Sequence, residues 1–389
     1  SPEWLSNVRV SPKGDRVAFI QHDRWGDDSG RLVIIGARGE RLVESIGYHS
    51  VAGIAWTPSG DEVWSAAHHE GTGRDLVALS IRGRERVVLS AAGRFTLHDI
   101  ARDGRVLAAV ESGRREMILG TRGESERNLT WLDWSFLGGI APDGLRVIFE
   151  EQVGARRNNA NAVYVRKADG SPAVRFGEGT GRSFSPDGRF VGLIPPNEDA
   201  IHLLPVGVGT PKIVPLRGLT SCIWWDWTPD GTRLVTWALE GETGRRHFEL
   251  TIDGDDPPRP ITPPGCGWWF AVSPDSTRIA AAMPDEVPAL YPLAGGEHVP
   301  VRGGRKGDLP IQWSDDGSAI FVFQPGRLTV GIDRIDLATG ERSRWHDVRP
   351  PDPAGIMDIQ PIYMTRDGAH YAYAFRRFIS DLYIVEGLV

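Results

Sequence analysis

The chain has 389 residues, of which 40% are hydrophobic and 24% charged, and it carries a formal net charge of −7. This acidic balance argues against nucleic-acid binding, because a phosphate-binding face needs concentrated Lys and Arg. No apolar run is long enough to span a membrane, so we expect no membrane insertion by this chain. The N-terminus lacks the regions of a signal peptide, so we expect a soluble chain, either a mature form or part of a longer protein.

A turn of the form hydrophobic-(Ser/Thr)-Pro-Asp-Gly, followed by an apolar strand, recurs along the whole chain. In chain order the nine copies read VSPKGDRVAF, WTPSGDEVW, IARDGRVLAAV, IAPDGLRVIF, FSPDGRFVGLI, WTPDGTRLVTW, VSPDSTRIAAA, WSDDGSAIFVF and MTRDGAHYAYAF. Proline pre-sets φ for the turn, Asp bonds to nearby amides, and Gly adopts the left-handed conformation that starts the next strand. The pattern therefore predicts nine β-hairpins.

A third strand follows most hairpins, as in RLVIIGARG and DLVALSIRG, and a fourth follows in most copies, as in ERLVESI and ERVVLSA. Four short strands per repeat, with no helical period, are typical of a β-propeller blade. We therefore predict an all-β propeller of four-stranded antiparallel blades, forming one domain over 1–389. The expected blades span approximately 1–48, 49–92, 93–130, 131–177, 178–217, 218–264, 265–304, 305–350 and 351–389.

The last copy is expected to supply three strands and no fourth, which leaves the blade count open. Counting the innermost strands gives nine blades. Eight blades result if a terminal copy is displaced or completes another sheet, and a fragment of a larger array is a third interpretation.

Alignment of the copies separates two groups of tryptophans. Trp225 and Trp227 occupy positions that are apolar in most copies, so we interpret them as scaffold. A second group lies at or just before the start of an innermost strand, where the repeat does not require an aromatic residue. It comprises Trp131, Trp134, Trp224, Trp268 and Trp269. These residues either form an apolar lip that docks a peptide or hydrophobic side chain, or plug a wide channel.

Polar candidates lie in segments predicted to connect strands on the face opposite the hairpin turns. Propeller ligands commonly bind on such a face, and the predicted binding residues there are His68, Arg156, Arg157 and Asn159. Adjacent histidines on a strand point to opposite faces, so His68 and His69 do not predict a metal site. We expect no metal and no cofactor. Asp99 and Asp226 share a repeat position and are interpreted as making hydrogen bonds within their blades.

Two cysteines do not make a disulfide framework. Cys222 and Cys266 fall at nearly equivalent repeat positions, which leaves a bridge open. We expect free, buried thiols.

The hairpin motif resembles the TolB-like or PD-type β-propeller repeats, which are similar in shape to WD-repeat proteins. Longer stretches, including LTWLDWSFLGGIAPDG, DPAGIMDIQPIYMTRDG and YAYAFRRFISDLYIVEGL, resemble the C-terminal propeller of bacterial, acidobacterial-type, eukaryotic-like serine/threonine kinases. The resemblance implies a sensor or protein-binding module with a kinase domain elsewhere in the parent polypeptide. It leaves the compartment open, cytoplasmic or, if a membrane span separates the two parts, extracytoplasmic.

No catalytic motif occurs in the sequence: the kinase motifs and the G-x-S-x-G nucleophile elbow are both missing. The sequence therefore predicts a non-catalytic module that binds a protein, peptide or small ligand in a bacterial signalling protein. One alternative is a structural subunit that self-associates through open propeller edges. A second alternative is a hydrolase or lyase with its site in the channel.

Overall fold

A computed structural model describes residues 4–22, 28–69, 73–90, 93–151, 161–283, 287–326 and 328–388. This part of the chain consists of strands, turns and loops and contains no helix, so it includes none that could cross a membrane. All nine predicted hairpins form, each joining two antiparallel strands. The prediction of an all-β fold built from antiparallel sheets is confirmed.

The chain divides into two compact units, whereas the sequence suggested one domain. Unit 1 comprises 1–113 and 378–389, and unit 2 comprises 114–377. Both boundaries fall inside 16-residue strands, which are the longest in the described chain. Each of these strands replaces the two shorter strands expected from the repeat. The linking residues ESGRRE and RRFISD contain no Pro-Asp-Gly turn that would reverse the chain.

Unit 1 contains two four-stranded sheets and a further hairpin. Its strands are β1 (Trp4–Val10), β2 (Arg16–His22), β3 (Arg31–Gly36), β4 (Arg41–Glu44), β5 (Ser50–Trp56), β6 (Glu62–His68), β7 (Asp75–Ser80), β8 (Glu85–Leu89), β9 (Arg94–Ile100) and the first part of β10 (Val106–Thr121). Apolar residues fill the space between the first and second sheets and between the second sheet and the hairpin.

Unit 2 contains six sheets. The last strand named below belongs to unit 2 only up to Arg377, and its remaining residues belong to unit 1. The strands of unit 2 begin with the second part of β10. They continue as β11 (Arg127–Asn128), β12 (Ser135–Ile140), β13 (Arg146–Glu151), β14 (Ala162–Lys167), β15 (Val174–Glu178), β16 (Thr180–Phe184), β17 (Phe190–Ile194), β18 (Ala200–Pro205), β19 (Lys212–Pro215), β20 (Leu219–Trp227), β21 (Arg233–Glu240), β22 (Arg245–Thr251), β23 (Arg259–Pro260), β24 (Phe270–Val272), β25 (Arg278–Ala282), β26 (Pro288–Pro292), β27 (Val299–Pro300), β28 (Leu309–Trp313), β29 (Ala319–Phe323), β30 (Val330–Asp336), β31 (Arg342–Val348), β32 (Ile356–Met364) and β33 (His370–Val385).

The innermost strands of unit 2 form a closed ring. Strands β12, β16, β20, β24, β28 and β32 each contact the next, and β32 contacts β12. The sheet that closes the ring has the order β11-β10-β33-β32, so it takes strands from both ends of the unit. Unit 2 is therefore a six-bladed propeller. Because the ninth copy completes the sheet of the third, the described strands form eight sheets, as the second interpretation of the blade count expected.

Polar contacts hold the closing sheet of unit 2 together. The hydroxyls of Tyr371 and Tyr373 donate to the two carboxylate oxygens of Glu126 at 2.9 and 2.8 Å. The guanidinium of Arg377 donates to Glu116 at 2.9 Å. Hydrogen bonds to a charged acceptor are stronger than neutral ones, so these contacts stabilise the closure.

β-Bulges interrupt the pairing of most innermost strands two or three residues before the hairpin turn. In unit 2 they occur between Leu137 and Gly139, between Arg182 and Phe184, and between Pro310 and Gln312. A bulge changes the side of the strand on which the following side chains lie. The last residues of these strands, together with the hairpin turns, line the channel of unit 2.

Candidate functional site: the channel pocket of unit 2

Four aromatic side chains, here called the aromatic cluster, meet inside the ring of unit 2: Trp224, Trp268, Trp269 and Tyr363. The Trp224 ring lies 4.8 Å from that of Trp268 and 5.2 Å from that of Trp269, centroid to centroid, and it stacks on Tyr363 at 5.9 Å. Trp224 and Trp269 are only 5% and 3% exposed. The aromatic cluster is thus closely packed and largely buried, and the choice between a docking lip and a channel plug stays a prediction.

A charged layer borders the aromatic cluster. The Arg182 guanidinium lies 5.1 Å from the Trp224 ring centroid and 4.8 Å from that of Phe136, and it pairs with the buried carboxylate of Glu150. Arg115 lies 4.5 Å from the same Phe136 ring. Burial lowers the pKa of Arg115 to about 10, with a smaller contribution from neighbouring Arg376. Aromatic faces therefore partly replace the water that these cations lose.

The channel pocket is a cavity of about 460 Å³ with the aromatic cluster as its floor and the hairpin turns as its rim. Trp224, Trp269 and Tyr363 belong to the floor. The apolar walls include Ile140, Phe184, Trp227, Phe270, Ile311 and Met364, and the polar lining includes Ser183, Asp226, Gln312, Asp315, Arg366 and Asp367. Small-ligand sites are concave cavities in which polar groups fix the ligand's orientation, and this cavity combines apolar walls with a polar lining of similar extent.

Asp226 is the most perturbed acid of the pocket. Protein surrounds its carboxylate, yet part of the residue stays accessible from the channel. Burial raises the pKa of Asp226 to about 6, an effect that the Trp227 N–H, Arg366 and Ser183 only partly offset. One carboxylate oxygen accepts the Trp227 N–H at 2.8 Å, and Ile100 makes the same bond to Asp99 at 2.9 Å. The predicted hydrogen bond within the blade is therefore present.

Two charged residues of the rim occupy the proline position of the hairpin motif. Arg366 replaces it in MTRDG and Asp315 replaces it in WSDDG, in the last two repeats. Half-buried Arg366 makes no hydrogen bond or close ion pair with any residue that the structure describes, and burial lowers its pKa. The hydroxyl of Tyr363 is buried and likewise without a partner in the described chain.

The structure brings together only some of the residues predicted from sequence. Trp224 and Trp269 line the pocket, Trp268 packs behind them, and Trp134 lies 5.8 Å from the Arg115 guanidinium, beside the charged layer. Trp131 packs elsewhere in unit 2, with the Arg166 guanidinium 5.1 Å from its ring. The binding roles of these tryptophans stay predictions.

His68 is not among the residues that line the channel pocket. His68 belongs to unit 1, where burial and nearby Arg74 lower its pKa. Arg156, Arg157 and Asn159 lie outside the described residues. The channel pocket opens at the hairpin turns, whereas the sequence pointed to loops on the opposite face.

Both thiols are free and buried, as expected: Cys222 contacts the Thr236 hydroxyl at 2.7 Å and Cys266 the Tyr291 hydroxyl at 3.4 Å. The described residues contain no group of three or more His, Cys, Asp or Glu side chains placed to hold a metal ion.

Sequence reasoning missed Asp315, Tyr363 and Arg366. The sequence does contain a signal for Asp315 and Arg366. Each is a charged residue at a turn position that is proline in most copies, so it does not fix the turn conformation as proline would. The pairing of the third and ninth copies had to be known before Tyr363 could be placed in the channel.

No protein-family model matches the sequence, and no curated protein does. Among solved structures, a protein assigned as TolB from Agrobacterium tumefaciens is 18% identical, with a TM-score of 0.50 over 69% of this chain and 99% of that one. TolB from Acinetobacter baumannii is 12% identical, with a TM-score of 0.33 over 93% and 64% of the two chains. An oligogalacturonate lyase in complex with manganese is 13% identical, with a TM-score of 0.37 over 88% of each chain. The first comparison concerns the fold alone: the described fold is a β-propeller similar to that of this TolB protein.

Proposed function

We propose that the chain is a non-catalytic, ligand-binding β-propeller module and that the channel pocket of unit 2 is its binding site. The observation that carries this proposal is the pocket itself, a cavity of about 460 Å³ with aromatic walls. Two charged groups face these walls: the largely buried carboxylate of Asp226 and the guanidinium of Arg366, which makes no close ion pair with a described residue. Charged groups in such surroundings are costly unless a ligand or partner compensates them. A protein segment, a peptide or a small molecule would enter from the hairpin face.

Blocking the pocket tests this proposal. Ile311 is half-buried in the pocket wall, so the substitution Ile311→Trp would fill part of the cavity. We expect at least one compound of a metabolite and dipeptide library to raise the Tm of the wild-type chain but not that of I311W, because ligand binding stabilises the folded state. The matched control is Ile213→Trp, at an exposed position of the same unit. The proposal would be contradicted if no compound raised the Tm of the wild-type chain, or if every active compound raised the Tm of the wild type and of I311W equally.

The parent protein is proposed to be a bacterial signalling protein such as a serine/threonine kinase, with this module as its sensor. The support is the sequence resemblance of the hairpin-flanking stretches. Determining the coding sequence on either side of this segment tests it: a kinase domain in the same reading frame is expected, and a complete parent gene without one would contradict the proposal.

A second candidate function is assembly through self-association of unit 1. Several of its apolar side chains are exposed, and the set comprises Leu5, Val8 and Val10 on β1 and Ile379, Leu382, Tyr383 and Ile384 at the end of β33. Exposed apolar strands favour pairing with another copy of the same chain. Light scattering of the wild type and of the double variant L382K/I384K tests this, with Val174→Lys at an exposed site of unit 2 as control. A wild-type monomer at all concentrations would exclude this function.

A further inference from the structure

The charge of the channel pocket is unbalanced. Three carboxylates, Asp226, Asp315 and Asp367, face a single cation, Arg366. Asp367 is committed to its own turn, where it accepts the Thr365 hydroxyl at 2.6 Å and the Ala369 N–H at 2.9 Å. Asp315 makes no hydrogen bond with a described residue, and no described cation lies within ion-pairing distance of Asp226. The pocket therefore holds more negative charge than its own residues compensate.

The walls around this charge are aromatic. Trp224, Trp227, Trp269, Phe184 and Phe270 line the cavity together with Tyr363. The face of an aromatic ring carries negative potential and attracts cations, most strongly where water is excluded. The same protein already uses this contact, since guanidinium groups lie 5.1 Å from the Trp224 ring and 4.5 Å from the Trp237 ring. A carboxylate among aromatic walls suits a cation with an apolar body.

We propose that the channel pocket binds a primary ammonium group attached to an apolar or aromatic body, with Asp226 as the counter-charge. This inference rests on the proposed function and adds the class of ligand. The ammonium would donate to the Asp226 carboxylate, one oxygen of which already accepts the Trp227 N–H. The apolar body would pack against Ile311, Met364 and the tryptophans of the walls.

Arg366 and Asp315 are expected to have opposite effects on the affinity for an ammonium ligand. Both lie on the rim, and electrostatic interactions link Arg366 to Asp226 and to Asp315. Asp315 attracts an entering cation, whereas Arg366 repels it and partly neutralises Asp226. Removing the positive charge at position 366 should therefore strengthen ammonium binding, an effect opposite to that expected for a site that binds anions through this arginine.

Binding should also depend on pH. Burial raises the pKa of Asp226 to about 6, so the carboxylate is increasingly protonated below that pH. The charged and titratable groups facing it are Arg366, which keeps its charge throughout this range, Tyr363, whose pKa burial raises, and Asp315 beyond Arg366. The affinity for an ammonium should fall as the pH falls through about 6.

Isothermal titration with three phenylethyl probes that differ in their polar group tests the proposal: 2-phenylethylamine, 2-phenylethanol and 3-phenylpropionate. We expect the amine to bind about tenfold more tightly than the alcohol at pH 7.5, and the carboxylate to bind most weakly. Asp226→Asn keeps an acceptor for the Trp227 N–H and should abolish the preference for the amine. Arg366→Gln should tighten amine binding by about threefold, and Asp255→Asn, at an exposed acid of the same unit, should change nothing.

The outcomes separate this inference from the proposed function. The ammonium proposal would be overturned if the amine and the alcohol bound equally, or if the carboxylate bound most tightly. The proposed function, ligand binding in the channel pocket, would still stand. Binding of none of the probes, together with a failed compound screen, would overturn both. A wild-type affinity that does not weaken between pH 7.5 and pH 5 would also contradict the role of Asp226, even if D226N does not fold. Phenylalanine amide and Nα-acetyl-lysine amide then distinguish a peptide α-ammonium from a lysine side chain.

Discussion

The residue before the Ser/Thr of the hairpin motif differs in burial between β1 and two innermost strands of unit 2. On β1 of unit 1, Val10 is 61% exposed. The corresponding residues on β20 and β28 of unit 2, Trp227 and Trp313, are 5% and 0% exposed. Trp313 reaches the strand of the preceding sheet, where its indole N–H donates to the Ala271 carbonyl at 2.9 Å.

The comparison shows that the repeat fixes a hairpin but not its burial. All these residues are apolar and precede the same turn, yet only those between two neighbouring sheets are covered. Blades of a propeller are buried by their neighbours, as in other repeat proteins. The free energy carried by one repeat position should therefore depend on its place in the array.

The largest difference in the free energy of unfolding is expected between substitutions at Trp313 and at Val10. Trp313→Ala removes a fully buried indole and should destabilise unit 2 by about 3–5 kcal/mol, because a cavity remains and the Ala271 carbonyl loses its donor. Urea unfolding followed by circular dichroism measures the free energy of unfolding. A loss of less than about 1 kcal/mol would show that burial at this position contributes little.

Ring closure of unit 2 is expected to depend on Glu126. Glu126→Gln replaces the charged acceptor of Tyr371 and Tyr373 by a neutral amide, and we expect a loss of about 1–2 kcal/mol. The matched control is Glu124→Gln, at an exposed site two residues away. An equal effect of both substitutions in urea unfolding would mean that the phenol contacts do not stabilise the closure.

Acidification should weaken unit 2 through His247. Burial lowers the pKa of His247 to about 3, and its Nε2 has no partner among the described residues. An unfolded chain protonates this imidazole below its ordinary pKa of about 6.5, so the stabilisation from neutral His247 is complete above that pH. It should be lost on acidification, by about 1.4 kcal/mol per pH unit until about pH 3. His247→Asn should flatten the pH dependence between pH 7 and pH 5, and an unchanged slope would refute this assignment.

The smallest effect on stability is expected at Val10, the exposed residue. Val10→Ala on β1 should change the free energy of unfolding by less than about 0.5 kcal/mol, since its side chain is already in water. A loss of about 1 kcal/mol or more at high protein concentration, absent on dilution, would instead show that a second copy covers β1.

Much of the architecture could be predicted from the sequence because turns are local. The Pro-Asp-Gly motifs predicted the hairpins. Trp225 and Trp227, interpreted as scaffold, are buried, but both also line the channel pocket. The division into two units was missed. It depends on β10 and β33, where the chain runs straight through a point at which other copies turn. Long-range pairing of that kind leaves no local pattern.

The candidate site was only partly predictable for the same reason. Trp224 and Trp269 were singled out because the repeat does not require them, and both line the pocket. Arg366 and Asp226 come from repeats far apart in sequence, and the closing sheet places them on one cavity. Their proximity could not be read from either repeat alone.

The closing sheet also has a consequence for biosynthesis. The Tyr371 hydroxyl bonds to Glu126 across a sequence separation of 245 residues. A ribosome must therefore make almost all of unit 2 before its ring can close, and the earlier sheets wait with uncovered apolar faces. Such non-local pairing folds slowly and exposes the nascent chain to aggregation. We expect the newly made chain to depend on chaperones until its last hairpin leaves the exit tunnel.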